Sequence, residues 1–270
     1  MPPQLVDTHC HLNFHRYDKD RDAVLKRAHD AGVERIIIPA IDLPSCAEVL
    51  QLAEAQPGLF AAVGIHPNSS RNFHASSIDR LRELAAHPKV VAIGEIGLDY
   101  HWDKSPKAMQ ATALEQQLEL AAELALPVII HNREASEDVI ETLANWTTTV
   151  GASLQGRLGV LHSFSASAEI AKRATDLGFY LGFTGPLTFK NASELREIAR
   201  ETLIEQLLIE TDGPFLSPMP YRGKRNEPAW VCHINDRLAE LHGMTAEQMA
   251  RQTTANAETL FALSQSDKAC

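Results

Sequence analysis

Paired cysteines are missing from this sequence. Its four cysteines, Cys10, Cys46, Cys232 and Cys270, are scattered through 270 residues with no CxxC spacing. A disulfide framework needs regularly placed cysteines, so reduced thiols are expected instead. Also absent is any uncharged apolar run of the ~20 residues needed to cross a bilayer. The start, Met1-Pro2-Pro3-Gln4-Leu5-Val6-Asp7, lacks the basic segment and apolar stretch of a secretory signal. These absences point to the cytoplasm and away from membranes, and no obligate protein partner is evident. There is no low-complexity tract, no internal repeat beyond a strand–helix rhythm, and no linker to divide residues 1–270, which are read as one domain.

A basic surplus is missing too. Lys and Arg number 25 against 35 Asp and Glu, a formal charge of −10. Proteins that coat duplex nucleic acid draw much of their affinity from neutralising phosphates. The charge argues against that class. It leaves room for an enzyme that processes a strand end with a local basic patch and metal ions.

What is present is a regular alternation of short β-rich runs and amphipathic stretches of helical length. Strands are expected at residues 5–11, 34–39, 59–66, 90–95, 127–131, 159–162, 179–183 and 207–212. Helices are expected over 20–31, from about 44, over 76–87 with Ser76 or Ser77 as N-cap, over 106–124, and between the later strands. Two or three more helices should follow at the C-terminus. The strands are mostly continuous apolar runs, as in parallel strands covered by helices on both sides. Eight such units in this length fit a (β/α)8 TIM barrel with extra C-terminal helices. No GxGxxG turn follows the first strand to favour an open doubly wound sheet.

The histidines carry most of the functional signal. His9, His11, His66, His131 and His162 each fall at the last residue or two of an expected strand, and Glu95 and Asp212 end strands four and eight. Catalytic groups of such barrels come from the C-terminal ends of several strands. One such residue alone reads as a hydrogen-bonded core group. Seven at equivalent depth, buried together without a cation, would cost about 1–3 kcal/mol for each polar group left unpaired.

His9-Cys10-His11 is the sharpest local pattern. Residues at i and i+2 of a strand share a face, so both imidazoles should point inward and Cys10 outward against a helix. Leu5 and Asp7 would share the inward face, with Asp7 orienting an imidazole or making a loop or barrel-floor hydrogen bond. Glu95 has two oxygens and can bridge two cations, which a histidine cannot. The glycines beside it allow close backbone approach. No lysine ends any strand to serve as an alternative bridge. Asp99 reads as a loop cap or a substrate contact. Glu210 lies two residues from Asp212 and reads as a deeper supporting group or a salt-bridge partner.

Asp7-Thr8-His9-Cys10-His11-Leu12, Gly64-Ile65-His66-Pro67, Gly94-Glu95-Ile96-Gly97-Leu98-Asp99-Tyr100, His131-Asn132-Arg133, His162-Ser163-Phe164-Ser165 and Glu210-Thr211-Asp212 occur in this order. Together with the late segment Pro220-Tyr221-Arg222-Gly223-Lys224-Arg225-Asn226-Glu227-Pro228, the set resembles the TatD family of metal-dependent hydrolases, within the amidohydrolase-like barrels. The resemblance spans nearly the whole chain. It implies two divalent cations per subunit: His9, His11, Glu95 and Asp212 on the first, and Glu95, His131 and His162 on the second. The division between metals comes from the resemblance alone.

It also implies magnesium-dependent deoxyribonuclease activity. The imidazole and carboxylate donors suit zinc, manganese, iron or magnesium equally, with no thiolate to demand a soft metal. Asp212 and Glu95 are the expected catalytic residues, with Asp212 accepting the proton of the attacking water. His66 is expected beside the metals as a substrate contact. Arg133 either grips an anionic oxygen or pairs with Glu134 or Glu137. Arg222, Lys224 and Arg225 form the one dense basic cluster; they contact phosphate, with Tyr221 and Trp230 stacking on bases, or else form a solvated loop. The expected substrate is DNA, cut from an end. Another anionic ester, a small-molecule amide or lactone, or an aminoacyl ester would use the same centre.

Overall fold

The apolar runs become eight parallel strands in a computed structural model that describes residues 4–263. Cys270 and the first three residues lie outside the described part. The strands are β1 (Leu5–Asp7), β2 (Val33–Pro39), β3 (Leu59–Val63), β4 (Val90–Asp99), β5 (Val128–Arg133), β6 (Gly159–Leu161), β7 (Tyr180–Phe183) and β8 (Leu207–Ile209). They hydrogen-bond in sequence order from β1 to β8, every pair parallel. The TIM barrel expected from the alternation is thus the fold.

Single bonds close the seam between β8 and β1. The Thr8 N–H donates to the Ile209 carbonyl (3.2 Å), the Asp212 N–H to that of His9 (2.9 Å), and the His11 N–H to that of Gly213 (2.8 Å).

Between the strands run α1 (Arg21–Asp30), α2 (Leu43–Ala55), α3 (Ala75–Ala85), α4 (Lys107–Leu124), α5 (Ser136–Thr147), α6 (Ala168–Asp176) and α7 (Ser193–Glu201). After β8 come α8 (Val231–His242) and α9 (Ala246–Phe261). Local chemistry sets the starts. The Asp42 carboxylate accepts the Ser45 N–H (2.8 Å) while the Ser45 hydroxyl accepts the Asp42 N–H (2.9 Å), a reciprocal cap that begins α2. At α3 the expected Ser76 or Ser77 N-cap is not used. His74 holds that position, and Ser77 acts from the third helical residue by accepting the His74 N–H (3.2 Å).

The core has two layers. One cluster fills the space between strands and helices, from Leu5 and Ile38 to Leu118 and Leu238. A second takes residues from every strand, among them Val6, Ile37, Phe60, Ala92, Ile129, Val160, Tyr180 and Leu208, and fills the barrel itself. Ala257, Leu260 and Phe261 of α9 belong to this inner cluster. The helix sits at the N-terminal end of the strands, because Asn256 donates to the carbonyls of Ile204 and Leu207, and Thr254 to that of Gln4. A buried Arg35 bonded to Glu258 (2.6 Å) ties it to β2. The extra helix therefore plugs one barrel end and leaves the other for chemistry.

The inner cluster also corrects one expectation. Val6 faces the barrel interior and Leu5 packs outward, so Leu5 is not on an inward face shared with His9 and His11. β1 ends at Asp7, and the period-two rule lapses before the histidines begin. Likewise β3, β6 and β8 stop short of His66, His162 and Asp212, whereas β4 and β5 run past Glu95 and His131 to Asp99 and Arg133.

Phe261 is 2% exposed. Truncating Phe261→Ala should lower unfolding free energy by about 3–5 kcal/mol, measured by urea denaturation. Leu203→Ala, at a side chain 65% exposed, should change it by no more than about 0.5 kcal/mol. Equal small losses would show that α9 does not plug the barrel.

Candidate metal centre

At the open end, Glu95 sits in β4 where the register to β5 shifts between Ile93 and Ile96. The backbone there is crowded. A Cβ on Gly94 would meet Ile129 Cβ at 2.7 Å, and one on Gly97, at φ +147°, would meet the His131 carbonyl oxygen at 1.9 Å. Only glycine allows β4 this close to β5.

Glu95 presents its two oxygens to different neighbours. Oε2 lies 3.5 Å from His9 Nε2 and 3.6 Å from His11 Nε2, while Asp212 Oδ1 lies 3.8 and 3.6 Å from the same two nitrogens. The two Nε2 atoms are 3.3 Å apart. A cation with four tetrahedral bonds of about 2.1 Å holds its donors about 3.4 Å from one another, so this set fits a metal ion. Oε1 faces His131 Nδ1 (2.9 Å), His162 Nε2 (3.3 Å) and His66 Nε2 (3.5 Å). Groups able to hold a cation are His9, His11 and Asp212; His9, Glu95 and His162; and His66, Glu95 and His131.

Two of the rings are backed by carboxylates. His131 Nε2 meets Asp99 Oδ2 at 3.0 Å, and His162 Nδ1 meets Glu210 Oε1 at 3.3 Å. These are carboxylate–imidazole pairs that leave the other nitrogen aimed at the centre. Glu210 also accepts the Ser163 N–H. A Cβ on Gly182 would lie 2.6 Å from its carboxylate carbon, so that glycine makes its place. His9 and His11 are braced by stacking instead, His9 on His162 (3.8 Å, 14°) and His11 on Phe14 (4.7 Å, 19°).

Of the readings open for Asp7, the loop hydrogen bond is the one found. Its carboxylate accepts the Thr211 N–H (2.9 Å), the Thr211 hydroxyl (2.6 Å) and the His9 N–H (3.3 Å), pinning both sides of the β8–β1 seam. Asp99 acts in two ways at once, capping the His101 and Trp102 N–H groups (3.0 Å each) while it holds His131. Cys10 Sγ turns toward Tyr17 and the Gly213 carbonyl, away from the centre.

Burial governs the electrostatics. It pushes the Asp212 carboxyl up to about 8 and the rings of His11 and His66 down to about 3. Burial also opposes charge on His162, but the Glu95 and Glu210 carboxylates outweigh it and hold that ring well above the usual imidazole range. For His131 burial is outweighed by its bonds to Asp99 and Glu95, and its pKa rises. Glu95 is the counterpart: burial raises it, but the rings of His162 and His66 and the bond from His131 bring it well below the usual carboxylate range.

A cleft of about 700 Å³ opens over these groups, lined also by Phe14, Asn68, Trp102, Lys104, Arg133 and Phe215. Arg133 does not pair with Glu134 or Glu137, which bond His101 (2.7 Å) and Arg173 (2.6 Å); its guanidinium lies 5.9 Å from the Trp102 ring. Arg222 and Lys224 are not brought into the cleft. Arg222 rests over Phe189 (4.5 Å), Lys224 over Tyr221 (5.5 Å), and Arg225 is bonded to Asp20. Tyr221 and Trp230 stack on each other (4.2 Å, 8°). The loop after β8 is drawn aside by Asn226, which donates to the Thr211 and Phe215 carbonyls. Trp102 and Lys104 were not singled out by motif; their only signal was their place just after the end of β4.

An eight-stranded barrel with histidines and carboxylates gathered at the C-terminal ends of its strands is the architecture of a barrel hydrolase. A family model described as TatD related DNase matches residues 6–262, and the chain belongs to this family of metal-dependent hydrolases. It is 46% identical over 257 residues to the metal-dependent hydrolase YabD of Bacillus subtilis, covering 95% of this chain and 98% of that one. It is 37% identical over 262 residues to a Salmonella typhimurium protein named 3'-5' ssDNA/RNA exonuclease TatD, covering 95% and 98%. The crystal structure of YjjV, a TatD homologue from Escherichia coli, superposes with a TM-score of 0.90 at 34% identity, covering 98% of this chain and 100% of that one.

When no cation is present Asp212, pushed up to about 8 by burial, holds a proton at neutral pH, and the Glu95 and Glu210 carboxylates favour the protonated form of the His162 ring. The rings of His11 and His66, pushed down to about 3, are neutral there. Loading a cation must displace those protons. Metal affinity should therefore rise with pH and weaken as pH falls below about 8. Calorimetric titration of the metal-free protein with manganese, in buffers of different ionisation enthalpy at pH 7, should show release of about one proton or more. Binding with no buffer dependence would contradict this picture.

Proposed function

We propose that this chain hydrolyses phosphodiester bonds at an end of single-stranded DNA, using two divalent cations bridged by Glu95. The observation that carries the reading is the division of that carboxylate, with Oε2 among His9, His11 and Asp212 and Oε1 facing His131 and His162. In this reading His9, His11, Glu95 and Asp212 would hold one cation, and Glu95, His131 and His162 the other. The all imidazole and carboxylate donors suit magnesium, manganese or zinc. Cations held by these residues would polarise the phosphodiester and lower the pKa of water.

The protein's own groups supply the rest. Asp212, held at φ +53° on the loop beyond β8, takes the proton of the attacking water and returns it to the leaving oxygen. His66 accepts the Asn68 N–H at Nδ1 (3.0 Å), so its proton sits on Nε2, which faces the centre as a neutral donor for a phosphate oxygen. This favours a substrate contact over metal ligation for His66. Arg133 offers a full positive charge with no carboxylate partner among the described residues. Arg222 and Lys224, outside the cleft, would meet only a strand that continues past it.

Several features support a strand end as substrate. A cleft of about 700 Å³ is of ligand-pocket size, and the chain carries −10 overall, which disfavours duplex coating. The Salmonella relative is named for end-directed cleavage of single strands.

Asp212→Asn should lower kcat on labelled single-stranded DNA by about 10²–10⁴-fold, assayed after controlled metal replacement beside a panel of chromogenic esters. Ester turnover with DNA left intact would replace this reading with a small-ester hydrolase at the same centre.

A further inference from the structure

We infer that Trp102, flanked by Lys104 and Arg133, is the platform on which the base of the strand's terminal nucleotide stacks; this rests on the phosphodiesterase reading above. Trp102 is 50% exposed. The other two tryptophans are used internally: Trp146 is buried and donates its indole N–H to the Leu118 carbonyl (2.9 Å), and Trp230 stacks on Tyr221. The His101 ring packs edge-on against the Trp102 indole (4.7 Å, 90°), and the half of the indole left in water beside the cleft can take a planar partner.

Its surroundings define the chemistry of that partner. Lys104 Nζ and Arg133 Cζ lie 5.8 and 5.9 Å from the ring centroid, and among the described residues neither has a carboxylate partner. In a chain with ten more acidic than basic groups, two unpaired cations at one cleft wall call for an anion. An aromatic face with two cations beside it matches a nucleotide, whose base stacks while its phosphate meets the charges. An uncharged ester would use neither cation.

The platform is also fixed relative to the centre. The Trp102 backbone N–H donates to Asp99 Oδ1 (3.0 Å), and Asp99 Oδ2 bonds His131, which meets Glu95. The backbone that carries the indole is therefore held in a set relation to the residues that cut beside it. Stacking of this kind is sequence-tolerant, since every base offers a π-face.

The test uses the metal-loaded enzyme and single-stranded oligonucleotides with or without an abasic residue at the terminal position. Trp102→Ala should raise KM for the normal strand about tenfold to hundredfold, with the loss in KM rather than kcat, and Trp102→Phe should recover most of it. The abasic strand should cost the parent enzyme a similar factor and cost Trp102→Ala little more, because both changes remove one interaction. Metal content and thermal midpoint, measured on each variant, should match the parent. An unchanged KM in Trp102→Ala, or losses that multiply, overturns the platform while leaving the phosphodiesterase intact. Failure of the parent enzyme to cut any strand, with ester turnover retained, overturns the phosphodiesterase reading and the platform together.

Discussion

One buried carboxylate facing five imidazoles is the constraint around which this barrel is arranged. Glu95 is 3% exposed and has His9, His11, His66, His131 and His162 within 3.6 Å of its oxygens. Burying charge without a partner is costly, and here the partners are buried rings, two of which, His9 and His11, have an Nδ1 with no hydrogen-bond partner among the described residues. Divalent cations would supply positive charge there and let the rings serve as neutral ligands. The surrounding fold keeps that arrangement from relaxing. Asp99 and Glu210 back His131 and His162, Gly182 yields its side-chain space to Glu210, and Asp7 fastens the seam where His9 and Asp212 emerge.

Much of this was legible in the sequence because barrel physics ties position along a strand to depth in the molecule. Parallel strands buried on both faces leave nearly continuous apolar runs, so their C-terminal ends could be located, and with them His9, His11, His66, Glu95, His131, His162 and Asp212. The structure brings those seven to one place. Where reasoning by period failed, the chain had left regular structure. β1 ends before His9, so alternation counted from the histidines put Leu5 on the wrong face.

Loops were harder, because their course depends on single hydrogen bonds that no periodicity encodes. Arg222, Lys224, Tyr221 and Trp230 looked like a nucleic-acid surface by composition, yet Asn226 draws their loop aside and the aromatics pair with each other. Trp102 and Lys104 reach the cleft through a cap on Asp99 that only the folded chain displays. Charge is distributed accordingly. Many of the basic side chains are spent in surface ion pairs such as Arg82 with Glu123 and Arg225 with Asp20, while Arg133 and Lys104, beside the centre, have no carboxylate partner among the described residues.

The central claim is that Glu95 joins two cations into one centre. Elemental analysis of the purified protein after manganese loading and buffer exchange, run beside Glu95→Ala, tests it most directly. A bridging carboxylate requires about two equivalents per chain in the parent and joint loss of both in the variant. One equivalent in the parent, or two retained by Glu95→Ala, would contradict it.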